Sequence, residues 1–387
     1  MDPRSKTRQI SPVLVAVAVI LGLSPAVSAQ SPERRFEEAQ RAQQNGDNAL
    51  AATLYQSLLE EHPESTSAHA NLGVALVALG KFDDAIEQYR IALEQAPGNR
   101  QLRSNLALAH YKKGDFEGAS EEFFTLYQEE RGDIPISTLL GDCYIRLGRT
   151  IEAITLLSAA EKPDPNNLAV EWALGNALIR GGQTQEGLQR IQKVAELGHS
   201  VDAYQLEANL YLGLTLFDQA RDAANAAIRL NPNLAKPYVV LAMIDDFGGN
   251  EKDAERNYRK ALDIDPNDLQ ARLQLANAFL IDRRLDEARQ EIDRALSVDP
   301  ASPSAHYDLA RVERAQGNLP AALNELEAIS RKDPNWLQPH VELAALYYRL
   351  KRPSDGDREK EIVNQLRTEE RDRRGQTHVI SPRVPLP

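Results

Sequence analysis

Cysteine is almost absent: the 387 residues hold one, Cys143. One thiol makes no internal disulfide and no cysteine metal cluster. Aromatic residues are scarce as well, at 6% of the chain with two tryptophans. A core built on large rings is thereby excluded, and alanine and leucine must supply most of the packing. Long apolar runs are missing. The longest, Val13–Leu23, has eleven residues, against the ~20 a helix needs to span a bilayer. An excess of basic residues is missing too, since the formal net charge is −12. An acidic surface argues against nucleic acid and anionic membrane as main partners. It is compatible with basic peptides, and it also keeps soluble proteins dispersed.

What the chain has instead is repetition. Residues 66–98 read TSAHANLGVALVALGKFDDAIEQYRIALEQAPG. Small and apolar residues fall three or four apart in two runs, the period of a helix packed on one face. Gly80 separates the runs, where a glycine can take the left-handed conformation that closes a helix. Asp83 and Asp84 suit the positive end of the second helix, and Pro97 ends it. The marks return 34 residues later as Leu106, Ala107, Gly114, Phe116, Ala119 and Phe123. They return again as Leu140, Gly141, Gly148 and Ala153, and later as Leu241, Ala242, Gly249, Ala254, Tyr258 and Pro266.

A fixed 34-residue period of two helices resembles the tetratricopeptide repeat (TPR) family. Nine full repeats and an altered tenth cover about Pro32 to Arg373. The resemblance implies an all-α, right-handed solenoid whose repeats bury their faces against their neighbours. Residues 1–29 are expected to be a signal peptide: Arg4, Lys6 and Arg8 precede the apolar run, and Val27-Ser28-Ala29 follows it. Cleavage is expected after Ala29, giving an exported, periplasmic protein at −14 without a stable membrane anchor. An extracellular destination, or an uncleaved N-terminal anchor, is the alternative. The solenoid is placed at 30–351, a capping helix at 352–374 and a disordered tail at 375–387. Repeat five is the weakest. Gly187 stands for the usual alanine, Leu197-Gly198-His199 replaces the proline turn, and the next mark, Pro232, comes one residue early.

No residue pattern points to catalysis, and no cofactor or metal is expected. His69, His306 and His340 share one place in their repeats, where the family carries a bulky packing residue. His110 stands alone on its helix, and no histidine pair has metal-ligand spacing. The expected function is a non-catalytic scaffold or adaptor. In the family the first helices line a concave groove where protein or peptide partners lie. Carried onto this chain, the groove positions are Asn71, Asn105, Asp142, Asn176, Asn209 and Asn277. An asparagine offers both donor and acceptor, so it can pair with an extended backbone. Arg311, Arg314 and Arg349 form a candidate basic strip, unless Asp308 and Glu313 neutralise it. The alternative function is a structural subunit of an envelope complex, joined through the convex face or the ends. Self-association is compatible with either.

Overall fold

The computed structural model describes residues 31–377, and the expected leader and most of the tail lie outside them. The described residues form twenty helices and no strand. They divide into two compact units, with the boundary between Arg190 and Ile191.

The first unit pairs α1 (Pro32–Gln44) with α2 (Asn48–Glu61), α3 (Thr66–Ala78) with α4 (Phe82–Gln95), and α5 (Arg100–Lys113) with α6 (Phe116–Glu129). It continues through α7 (Ile134–Arg146), α8 (Thr150–Glu161), α9 (Leu168–Arg180) and the start of α10 (Thr184–Gly198). The second unit pairs α11 (Val201–Gly213) with α12 (Phe217–Leu230), α13 (Ala235–Phe247) with α14 (Glu251–Ile264), and α15 (Leu269–Ile281) with α16 (Leu285–Val298). It ends with α17 (Pro303–Gln316), α18 (Leu319–Lys332), α19 (Leu337–Arg349) and α20 (Pro353–Thr377).

Helix starts are written in the sequence. Ser65, Asn99, Asp133, Asp268 and Ser302 each accept a hydrogen bond from the backbone N–H three residues on, a cap worth about 1 kcal/mol. Inside each pair a small residue admits a large one. A Cβ at Gly73 would lie 2.6 Å from the ring of Tyr89, which is buried.

In five of the repeats one side chain ties the first helix down. His69 sits 2.9 Å from the Pro63 carbonyl through Nε2 and 2.7 Å from Gln88 through Nδ1. Arg103 donates to the Pro97 carbonyl and to Glu122 at 3.2 and 2.7 Å. Arg272 donates to the Pro266 carbonyl and to Glu291 at 3.0 and 2.8 Å. His306 and His340 do the same with Pro300 and Glu325, and with Pro334 and Glu359. The partners always lie six residues back, in the preceding turn, and nineteen residues on, in the following helix. These histidines are therefore hydrogen-bonded braces, not only bulky packing. His110 is not alone either, since its Nδ1 lies 2.7 Å from Asp115.

Between the helices of each pair the chain passes once through the left-handed region. Gly46, Gly80, Gly114, Gly148, Gly182, Gly249 and Gly317 fill that place, but so do Thr215, Arg283 and Lys351, at φ 59, 62 and 58. The expected interruption at 351–356 is in fact this ordinary turn. Pro353 then takes the first helical position of α20, where its missing N–H costs nothing. The missing residue of repeat five lies in the connection from α10 to α11, which is reduced to His199 and Ser200. Gly187 is not sequence drift. A Cβ there would meet the Gly175 carbonyl at 2.7 Å and the Ile179 side chain at 2.6 Å, so α9 and α10 touch through it.

Two substitutions separate this account from helix propensity alone. Gly187→Ala should lower the urea unfolding midpoint, although propensity alone predicts a gain of roughly 1 kcal/mol. A raised midpoint would show that the helices do not meet there. Arg283→Gly should stabilise by about 0.5–1 kcal/mol, because relief of left-handed strain exceeds the flexibility added to the unfolded chain. An unchanged or lower midpoint would show that the turn stores no strain.

Candidate interaction sites on the first helices

In the first unit, a cavity of about 530 Å³ opens along the first helices of successive repeats. α5 contributes Tyr111, α7 contributes Thr138, Asp142 and Arg146, and α9 contributes Trp172, Asn176 and Arg180. Their spacing follows from the 34-residue frame, which puts Asp142 and Asn176 at one register position. The Tyr111 hydroxyl donates to Asp142 at 2.5 Å, and Arg146 lies 3.4 Å from the same carboxylate. Burial, with the Asp142 carboxylate beside it, pushes the Tyr111 hydroxyl up to about 12. Arg146 also stands over the Phe116 ring at 5.3 Å. The floor is thus a fixed Tyr–Asp–Arg array, with the Trp172 ring and exposed Arg180 at its edge.

In the second unit, a cavity of about 300 Å³ lies against α13, α14 and α15. Met243, Phe247, Asn277 and Ile281 line it, with Asp246, Glu251 and Asp282. The Tyr258 hydroxyl donates to Asp246 at 2.7 Å. Burial raises the Asp246 pKa, and the nearby Asp245, Asp282 and Glu251 carboxylates add to the rise.

The other expected groove residues are placed but not all available. Asn71 and Asn105 are half-buried on α3 and α5, and Gln101 donates to Asn105 at 3.0 Å. Asn176 and Asn209 donate their amide hydrogens to their own helices, at the Trp172 and Gln205 carbonyls. Each therefore presents chiefly an acceptor to a guest. Asn277 accepts from Arg311 at 2.9 Å. The basic strip is largely neutralised: Arg311 pairs with Asp308 at 2.9 Å and Arg314 with Glu342 at 2.8 Å. Glu313 takes no part, because Arg289 and Asn318 hold it. Arg349 is exposed at the end of α19. Spacing did not single out Tyr111, Trp172, Phe247 or Ile281. The signal that finds the last two is the final position of the first helix, which holds Arg146, Arg180 and Arg349 in other repeats.

Models of the tetratricopeptide repeat match residues 36–99 and 73–133, 201–234, and 249–299 and 279–346. The chain belongs to the TPR family. Proteins of this family are in general non-catalytic scaffolds that bind other proteins. No curated protein sequence matches the chain. Among solved structures it is similar to a tetratricopeptide repeat protein from Parabacteroides merdae, with 15% identity and a TM-score of 0.52, covering 69% of this chain and 98% of that one. It is also similar to the APC/C hetero-tetramer Cut9-Hcn1, with 14% identity and a TM-score of 0.52, covering 92% and 96%. At such identities the likeness concerns the solenoid fold alone. Among the described residues no helix is long and apolar enough to cross a membrane, and no three His, Cys, Asp or Glu side chains cluster to hold a metal.

Cys143 lies within the TPR core of the first unit and is fully buried. Burial raises its thiol from 9.0 to about 12, and burial likewise holds the hydroxyls of Tyr55 and Tyr347 at about 12. These groups ionise earlier in the unfolded chain, so unfolding releases protons and stability falls as pH rises from about 9 toward 12. A thiol-labelling reagent at pH 8 should leave Cys143 unmodified until urea unfolds the first unit. Rapid labelling of the folded chain would contradict its placement.

Proposed function

We propose that this TPR protein is a non-catalytic scaffold that holds an extended segment of another protein along the faces of its first helices. One observation carries the reading. Both cavities lined by successive first helices contain residues of the asparagine register, Asp142 and Asn176 in one and Asn277 in the other. Each combines an aromatic or aliphatic wall with a few fixed polar groups, the usual make-up of a recognition site. The second cavity offers mostly acceptors, and the first sets the donors Arg146 and Arg180 beside the acceptors Asp142 and Asn176. An extended backbone brings both N–H donors and carbonyl acceptors, so the two match without a demand for one particular side chain.

The basic start, short apolar run and small residues of 1–29 support export to a periplasm. The acidic balance of −12 fits a protein partner better than nucleic acid.

A photo-crosslinking residue at Asn176, and separately at exposed Lys260 on α14, away from the cavity, tests the reading in the protein's own cell. Capture of one protein from position 176 and none from 260 is expected. Capture from 260 alone would move the function to assembly through the second helices.

A further inference from the structure

The first helix ends in a basic residue in four of the ten repeats, at Lys113, Arg146, Arg180 and Arg349. In two successive repeats that last position holds a large apolar side chain, Phe247 and Ile281. Their side chains are 67% and 66% exposed, far more than a large apolar residue needs for packing. The Phe247 ring stacks on Phe217 at 5.3 Å, which fixes it in place and leaves its other face to solvent. Both residues border the 300 Å³ cavity of the second unit.

The same cavity is acidic. Asp246, Glu251 and Asp282 line it, and none of its lining residues is Lys or Arg. Asp245, next in sequence, is by contrast met by Arg221 and Asn257, each at 2.8 Å. The Asp246 carboxylate has the neutral Tyr258 hydroxyl and faces the repulsion of its acidic neighbours. An apolar wall and an uncompensated acidic rim within one cavity match a side chain with an apolar stem and a cationic head. A cation above a ring face adds attraction of its own.

We infer that the second-unit cavity is a specificity pocket for a partner segment that presents a lysine or arginine beside an apolar residue. The inference rests on the reading of the first-helix faces as the binding surface and adds the chemistry of the guest. The base enters among Asp246, Glu251 and Asp282. Its apolar neighbour covers Phe247 and Ile281. A second copy of this chain is disfavoured as the occupant, because two chains at −12 repel each other.

Fluorescein-labelled octapeptides with a central Lys-Leu, Arg-Leu, Gln-Leu, Glu-Leu or Lys-Ser pair test this by anisotropy with the full chain. Lys-Leu and Arg-Leu should bind at least about fivefold more tightly than Gln-Leu, and Glu-Leu most weakly. Glu251→Gln with Asp282→Asn should shrink that preference to less than about twofold. Phe247→Ala with Ile281→Ala should weaken Lys-Leu and leave Lys-Ser nearly unchanged. All four side chains are at the cavity edge, and circular dichroism melts confirm that the variants fold. Equal binding of Lys-Leu and Gln-Leu, or no binding of either at about 1 mM, overturns the inference. Binding lost only in Trp172→Ala also overturns it, yet leaves the first-helix reading standing. Capture from Lys260 alone removes both. A dimer in sedimentation velocity that Phe247→Ala disperses gives the face to a second copy, and the inference falls.

Discussion

The brace from a first helix to the turn before it, present in five repeats, is the constraint on which their stacking depends. A repeat of two short helices has little core of its own. It gains stability by stacking, and stacking needs a fixed angle between one repeat and the next. A side chain that reaches both the preceding proline carbonyl and the following helix sets that angle. Hydrogen bonds of this kind are worth roughly 0.5–1.5 kcal/mol each, and about 1.5–3 kcal/mol when one partner is charged. The chemistry changes from His69 to Arg103 to Arg272 while the geometry stays. At Glu171 the charges are exchanged, and Arg190 supplies the cation from the second helix at 2.9 Å. Once the first helices are braced, their remaining faces stand in register, and that register assembles the two cavities.

The fold was largely legible because its signals are local and repeated. Gly80 marks a left-handed turn by itself, and Pro97 ends a helix by itself. Thr215 and Arg283 carry no such mark, and only the period places their turns. Gly187 misleads in isolation, since its reason is the Gly175 carbonyl on another helix.

The sites were half legible. Spacing located Asp142, Asn176 and Asn277 in one register, because register depends only on the period. It did not show how each was occupied. Asn176 spends its amide on its own helix, and Asn277 accepts from Arg311. Pair choice was equally hidden: Arg314 turns to Glu342 on α19, 28 residues on in sequence. Phe247 and Ile281 were overlooked because apolar residues in a helical repeat read as core. Only their exposure of 67% and 66% shows otherwise.

Under the proposed function the two cavities would divide the work of recognition. The first, with its Tyr–Asp–Arg floor, Trp172 and Arg180, offers shape with both donors and acceptors. The second offers negative charge and an apolar wall. A chain so acidic gains little from one more carboxylate on its surface, but carboxylates gathered beside exposed Phe247 and Ile281 would discriminate among partners. The second helices also expose single apolar residues, Phe124, Ile151 and Leu197, on separate helices. Hydroxyl-radical footprinting of the chain with its natural partner, and after the partner is stripped away, compares these surfaces directly. The account predicts that Trp172, Phe247 and Ile281 are protected in the complex while Phe124, Ile151 and Leu197 react as before. Protection of Phe124, Ile151 and Leu197 alone would contradict it.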